Sequence, residues 1–386
     1  MYLFVSTLNE SWGGSEYLWS QTALHLAEAG ASVSVSLEFR RPEPTIISAI
    51  EIAGGPVIRR NAPQRVPPPA NYPERARRWI ARKLHARISK RQTEYETLQE
   101  LRPDLVVISQ PTCVEGVEWM MACQKLDVPY VTVAQACHDM LFHSDEYATL
   151  IEPALCGAMR SYFVADDNRI RLENFLARSL PHPEVVRNPF NVPYDVAVPW
   201  PAEDGYLRLA NVARLHIPSK GQEILLQLMS LEKWRNRNVT VDFFGQGPNQ
   251  DRLRQLANQL KLNSVCFRGH IDGIDRLWAD HHALVLPSKY EGLPIALVEA
   301  MLCGRPAVVT NVSGNPEVML DGVTGFIADA PTVASFDAAM ERLWDARLTL
   351  RGMGQVAGQH IRTLVPPDPV AVFAQRLSEL VDSQPT

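Results

Sequence analysis

Glu291 and Glu299 close the two ends of the segment Glu291-Gly292-Leu293-Pro294-Ile295-Ala296-Leu297-Val298-Glu299. Carboxylates accept hydrogen bonds from hydroxyl groups, so the gap between these two sets the size of anything both could hold. The helical rise between them is roughly 12 Å at about 1.5 Å per residue. Between them, Gly292 and its neighbours would present backbone N–H groups at the positive end of a helix, a natural seat for a phosphate. The implied ligand is long, with a phosphate in the middle and hydroxyl-bearing groups at either end. Two cations upstream fit the same ligand. Arg214 offers a planar fork and Lys220 a point charge, a combination that suits the several oxygens of a pyrophosphate.

The elements that must position these groups are legible around them. Ala283 to Leu286 reads as a buried strand ending at Pro287, and Ile295, Val298 and Leu302 recur at helical spacing. Pro294 suits the first helical turn, where its missing N–H costs nothing. Leu207 to Val212 is a strand running into Arg214, and Ser219-Lys220-Gly221-Gln222 has the spacing of a capping box that starts a helix. Lys220 then stands in a first turn, where a cation opposes the helix dipole unless an anion is bound. Val239 to Phe244 is a strand leading to Gly245-Gln246-Gly247-Pro248, with Gln250 where a dinucleotide fingerprint needs glycine. Val265 to Phe267 is a short strand before Arg268-Gly269-His270-Ile271, and Ala307 to Val309 is another.

The first half repeats the strand–loop–helix plan. Tyr2 to Ser6 is a strand, Gly13-Gly14 closes the loop after it, Leu18, Ala23, Leu24 and Ala27 mark a helix, and Ser32 to Leu37 is the next strand. This is how a Rossmann-like domain opens, yet the loop is not G-x-G-x-x-G, which disfavours a nicotinamide dinucleotide. Further strands are Leu105 to Ile108, Val128 to Val133 and Ser161 to Ala165, the last with Asp166 or Asp167 as helix N-cap. His138 lies just past the end of one of them, where open α/β sheets place ligand contacts; His143 is its rival. A proline-rich stretch, 61–73, leads into 74–91, where eight Lys and Arg residues surround an apolar stripe of Ile80, Leu84 and Ile88. That basic amphipathic helix either attracts an anionic lipid or acceptor or packs its stripe on its own domain.

Composition bounds the rest. At 386 residues, with 46% apolar and 21% charged, the chain holds two globular domains of ordinary size. A net charge of −5 gives no nucleic-acid footprint. No apolar run reaches the roughly 20 residues that cross a bilayer. Met1-Tyr2-Leu3-Phe4-Val5 enters a strand with no basic region ahead of it, so no signal peptide is expected. The six cysteines form no C-x-x-C pair and are expected as free thiols in a reducing cytoplasm.

Taken together, Glu291 to Met301, Arg214-Leu215 with Lys220-Gly221, Gly245-Gln246-Gly247-Pro248 and the Gly13-Gly14-Ser15-Glu16 loop resemble the motifs of the large retaining E-x7-E glycosyltransferase family (family 4, group 1 type). The resemblance is nearly continuous from Asn211 to Ala328 and looser before residue 190. It implies an α/β GT-B fold, two Rossmann-like domains facing across a cleft. Residues 1–192 would form the acceptor domain, 193–203 the linker, 204–365 the donor domain, and 366–386 a helix packing back on the first domain. It further implies transfer of a sugar from a UDP- or GDP-sugar to a hydroxyl acceptor with retained configuration, needing no metal or other cofactor. Glu291 and His138 would contact the sugar and Glu299 the ribose. Arg214, Lys220, Gly13, Gly14, Gly292, Leu293 and Pro294 would surround the phosphates, with Gly247 and Ile271 towards the nucleotide. The acceptor would be a saccharide, a lipid-linked sugar or a small molecule, reached in the cytoplasm or at the inner membrane face through residues 74–91. A nucleotide-sugar epimerase or phosphorylase of the same fold, or a non-catalytic nucleotide-sugar-binding protein, are the alternatives.

Overall fold

The strands are short continuous apolar runs such as Leu3-Phe4-Val5 and Ala307-Val308-Val309, the pattern of parallel strands covered on both faces. The computed structural model describes residues 1–8, 12–39, 42–61, 94–141, 144–271 and 273–383. Residues 74–91 and His143 lie outside the described residues. Among those described, the strands build two wholly parallel sheets.

The first sheet contains β1 (Tyr2–Ser6), β2 (Val33–Glu38), β3 (Val57–Arg60), β4 (Leu105–Gln110), β5 (Tyr130–Ala134), β6 (Arg160–Phe163) and β7 (Pro183–Val185), in the order β3-β2-β1-β4-β5-β6-β7. The second contains β8 (Leu207–Val212), β9 (Val239–Phe244), β10 (Val265–Gly269), β11 (Ala283–Leu286), β12 (Ala307–Thr310) and β13 (Gly325–Ala328), ordered β10-β9-β8-β11-β12-β13. Both orders reverse at one point, between β1 and β4 and between β8 and β11. Ligands of open α/β sheets bind outside the carboxyl ends of strands at such a reversal.

Each sheet has apolar cores on its two faces. Helices Gln222–Met229 and Val333–Asp345 cover one face of the second sheet, and Ile295–Leu302 and Leu350–Arg362 the other. The final helix, Pro369–Asp382, returns to the first domain. Its Phe373, Ala374 and Leu377 join Phe4, Leu18 and Trp19 in one core, and Phe373 meets Tyr162 edge-on at 5.1 Å. Ser378 Oγ accepts a hydrogen bond from Tyr2 Oη, and Arg376 donates to the Val185 carbonyl.

Residues 193–203 carry no regular secondary structure. They are nonetheless packed on the second domain: Tyr194, Val196 and Val198 lie against its core, and the Tyr194 hydroxyl donates to the Arg362 carbonyl at 2.8 Å.

Two local expectations are corrected. Helix Asp166–Leu176 is capped by Ala165, without a side-chain cap; Asp166 and Asp167 sit in its first turn and pair with Arg169 and Arg171. Cys113 and Cys137 are joined in a disulfide with Cα atoms 5.3 Å apart, so not all six cysteines are free. No spacing rule foresees that pair, because the topology, with β4 beside β5, brings the two loops together.

Candidate functional site

The reversal point of the second sheet gathers the carboxylate and cation chemistry. Asn211 near the end of β8 donates to the Val285 carbonyl on β11 at 2.7 Å, fixing the two strand ends side by side. The chain after β8 turns through Arg214 and Leu215 into a one-turn helix, Ile217–Lys220, and then a sharp bend at Gly221. Gly221 has φ +61°, and a Cβ there would fall 2.1 Å from the Pro287 carbonyl oxygen. The bend therefore needs glycine twice over, for its left-handed backbone and for the close approach to the loop after β11. Ser219 confirms the docking by accepting the Lys289 N–H on its carbonyl at 2.8 Å.

This geometry overturns the capping-box reading. Ser219 does not cap the helix that follows, whose N-cap is Gly221; its hydroxyl pairs with His216 Nδ1 at 2.7 Å, and Gln222 Nε2 donates to the Arg214 carbonyl. Lys220 ends the short helix rather than opening a long one. Its ammonium lies 2.6 Å from both carboxylate oxygens of Glu291. The unfavourable first-turn placement disappears, and the cation is held by an ion pair instead.

Glu291 is buried and constrained from several sides. Ser288 Oγ donates to its Oε1 at 2.8 Å, and its own N–H donates to Ser313 Oγ at 3.1 Å. Ser313 is held at φ +48°, a conformation rare outside glycine. Next in the chain, Gly292 accepts the Gly314 N–H on its carbonyl, and a Cβ at Gly292 would fall 1.9 Å from the Gln135 carbonyl oxygen of the first domain. Leu293 turns its side chain into the second domain's core. Pro294 is the N-cap of helix Ile295–Leu302, one residue outside the expected first turn. The N–H groups of Ile295 and Ala296 that open this helix have no intrahelical acceptor.

Glu299 lies along that helix, 3% exposed. Its Oε1 accepts from both the backbone N–H and the side-chain amide of Asn191, at 2.7 and 2.9 Å. Burial pushes its carboxyl up to about 7, against the pull of the Asn191 hydrogen bonds.

The first domain reaches the same place. The His138 ring, on the loop after β5, lies 4.3 Å from the ring of Tyr290, the neighbour of Glu291. Gly14 opens a short 3-10 turn before the first helix, and a Cβ there would meet Ile295 Cδ1 at 2.9 Å. Gly13, extended at φ −155°, precedes it. Both the Gly13-Gly14 loop and His138 thus face the start of helix Ile295–Leu302. Glu16, to which no role was assigned from sequence, is fully buried and accepts from Ser6 Oγ at 2.5 Å and Trp19 Nε1 at 2.9 Å.

Two expected nucleotide-side residues sit further out. A Cβ on Gly247 would strike the Leu215 backbone, 2.4 Å from its carbonyl oxygen, so this glycine serves the close packing of the turn that carries Arg214. Arg214 is half-buried on that turn. Ile271 lines a cavity of about 610 Å³ with Phe244, Asp242, Arg268 and His281 on the β9–β10 side of the second sheet. Sequence reasoning assigned no role to Ser288, Ser313, Asn191 or Tyr290; Ser288 and Tyr290 flank Glu291 in the motif and Ser313 stands in a loop pattern of its own, so only Asn191 gave no signal.

Among the described residues, no group of three or more His, Cys, Asp and Glu is placed to hold a metal ion, and no helix is long and apolar enough to cross a membrane.

Comparison with known proteins adds to this geometry. Residues 199–359 match the family model described as glycosyl transferases group 1. The chain is 30% identical over 159 residues to N-acetyl-alpha-D-glucosaminyl L-malate synthase of Bacillus anthracis, covering 37% of this chain and 42% of that protein. It is 31% identical over 156 residues to the GDP-mannose-dependent alpha-(1-6)-phosphatidylinositol monomannoside mannosyltransferase of Mycolicibacterium smegmatis, covering 37% and 40%. The chain thus spans about two fifths of the length of these relatives. Its fold is similar along nearly its whole length to HepE of Anabaena, crystallised with UDP, with a TM-score of 0.72, 18% identity, and coverage of 99% of this chain and 100% of that one. With its two parallel sheets and this likeness the chain has a GT-B fold, and within its second domain residues 199–359 match the group 1 glycosyl transferase model.

Proposed function

We propose that this protein transfers a sugar from a nucleoside diphosphate sugar to a hydroxyl acceptor with retention of anomeric configuration. The observation that carries the reading is the Lys220–Glu291 pair at the second sheet's reversal point, one residue from the Tyr290 ring against which the first domain sets His138. A sugar diphosphate needs cationic charge at its phosphates and hydrogen-bond acceptors at its sugar and ribose hydroxyls. Lys220 and Glu291 supply both within one contact.

Donor binding exchanges these partners. Lys220 moves from the carboxylate to the β-phosphate, with Arg214 beside it, while Glu291 turns to the sugar hydroxyls, still oriented by Ser288. The opening N–H groups of helix Ile295–Leu302 and the Gly13-Gly14 loop complete the phosphate seat. Glu299 accepts the ribose hydroxyls, and the Ile271 side of the domain faces the base. In the transfer, the bond from the anomeric carbon to the β-phosphate oxygen breaks as the acceptor oxygen attacks from the same face. The acceptor proton passes to the departing phosphate. Fixed positive groups aimed at the charge growing on that phosphate are typically worth several kcal/mol in a dry site. These cations and amides make a metal unnecessary.

Relatives and neighbours bear on the donor. HepE holds UDP and the mycobacterial relative uses GDP-mannose, which supports a UDP- or GDP-sugar. The first domain selects the acceptor, whether saccharide, small molecule or lipid-linked sugar, and the basic residues of 74–91 suit one carried on an anionic membrane. Closure pivots on the span around Val186–Asn191, since residues 193–203 move with the second domain.

The test is a thermal-shift screen against UDP, GDP, ADP and their sugar conjugates with and without EDTA, followed by NMR of the product's anomeric proton. A ligand at 100 times its Kd adds about 2.7 kcal/mol, a clear shift. Stabilisation by one nucleotide, insensitive to EDTA, and a product of the donor's own anomeric configuration are expected. No shift with any nucleotide, or an inverted product, overturns the reading.

A further inference from the structure

Glu317 reaches from the donor domain into the first domain, outside every group assigned above. It stands in the one-turn helix Asn315–Val318, which follows the Ser313-Gly314 turn that grips Glu291 and Gly292. Its Oε1 accepts the backbone N–H of Asp167 at 2.8 Å, in the first turn of helix Asp166–Leu176. That N–H belongs to the set a helix cannot satisfy internally, and the helix's own N-cap, Ala165, offers no side chain to do so. A carboxylate there is also favoured by the helix dipole.

The other oxygen, Oε2, lies 3.6 Å from Arg187 Nη1, which itself donates to the Val164 carbonyl at 2.7 Å. Arg187 is 15% exposed, and burial holds its guanidinium below the usual arginine range, with Glu317 opposing that effect. Three features thus converge on the end of β6: a helix start, a half-buried cation and the Val164 carbonyl. All are first-domain groups.

The contact is tight around this point. A Cβ at Gly314 would fall 2.8 Å from Ala165 Cβ, and one at Gly292 would fall 2.6 Å from Val164 Cγ2. The same Gly292 abuts the Gln135 carbonyl, three residues before His138 in the chain. The loop that carries Glu291 and the loop that carries His138 are therefore registered against each other through the Val164–Ala165 corner.

We propose that Glu317 is a positioning residue, an interdomain clasp that caps helix Asp166–Leu176 and pairs with Arg187 so that the Glu291 loop and His138 close on one donor. The inference rests on the transferase reading for its kinetic consequence, but the clasp itself is a statement about domain closure. Most of the donor's contacts, to Lys220, Arg214, Glu299 and the amides of helix Ile295–Leu302, belong to the second domain, so nucleotide affinity depends little on the clasp. Turnover needs the closed pair and depends on it.

The experiment compares wild type with Glu317→Ala and Glu317→Gln by calorimetric UDP titration, steady-state kinetics and small-angle X-ray scattering of the UDP-bound protein. Glu317→Ala is expected to bind UDP as wild type does, to lose about tenfold or more in kcat through a smaller closed population, and to scatter as a more open particle. Glu317→Gln keeps an acceptor for the Asp167 N–H but not the charge facing Arg187, and should fall between. It also carries the test if the alanine variant fails to fold. Full turnover in both variants, or loss of UDP affinity in step with kcat, overturns the clasp. An unchanged scattering profile overturns it even if no transfer activity is found for the wild type, so failure of the transferase reading and failure of the clasp remain distinct.

Discussion

Glu299→Gln separates what this protein needs to fold from what it needs to work. The carboxyl is 3% exposed, and burial raises it from 4.5 to about 7. Below pH 4.5 both folded and unfolded chains hold the proton, and the group is neutral in each. Between 4.5 and about 7 the unfolded chain has released it while the folded chain retains it, so stability falls as pH rises through that window. Above about 7 the buried carboxylate is charged and the full cost is present. At about 1.4 kcal/mol per pH unit, the rise from 4.5 to about 7 amounts to about 3 kcal/mol. Glutamine keeps the shape and an oxygen for the two Asn191 donors but has no charge to bury. The variant should match wild type near pH 4 and exceed it at pH 8, by roughly 6–12 °C in the melting of the second domain. The assay is scanning calorimetry of both proteins across that range, with UDP titration at pH 8. The variant should bind UDP more weakly while being the more stable protein, the trade expected of a functional group kept at a cost to the fold. A stability difference that does not change with pH, or a less stable variant at pH 8, refutes the reasoning.

Other expectations follow from close packing. Gly292→Ala puts a Cβ 1.9 Å from the Gln135 carbonyl oxygen, so the domains cannot seat. Kinetics should show a loss of about 100-fold in kcat, as for a misplacement of about 1 Å, while calorimetry finds UDP still bound. Phe373→Ala removes a ring that is 1% exposed and packs edge-on against Tyr162. It should destabilise the first domain by about 3–5 kcal/mol in a denaturant titration, although the residue lies in the last helix of the chain.

Most of the fold was written in local pattern. The strands Tyr2–Ser6, Leu207–Val212, Val239–Phe244 and Ala283–Leu286 fall on the residues predicted from their apolar runs. The final helix was legible because Phe373, Leu377 and Leu380 recur at helical spacing with a proline at its start. What escaped was set by tertiary contact. Ser219-Lys220-Gly221-Gln222 looks like a capping box, but Gly221 bends against Pro287 and moves the helix start by two residues. Asp166 looks like an N-cap, but the helix begins one residue earlier than that reading requires, with Ala165 as its cap, and the open Asp167 N–H goes to Glu317 from the other domain. The Lys220–Glu291 pair was foreseeable only as two groups near one phosphate. Their direct contact depends on the Ser219–Lys289 bond that no sequence rule anticipates. Asn191, given no role at the end of the span expected for the first domain, proves to be the partner of Glu299.

The donor site is tested most directly by calorimetric titration of UDP and GDP into wild type and Lys220→Met, with EDTA present. Wild type should bind one of the two nucleotides under these conditions, and Lys220→Met should lose at least about tenfold in affinity, the equivalent of about 1.4 kcal/mol for a charged hydrogen bond to phosphate. Equal affinity in the two proteins, or binding by wild type that EDTA abolishes, contradicts a donor site built on Lys220 without a metal.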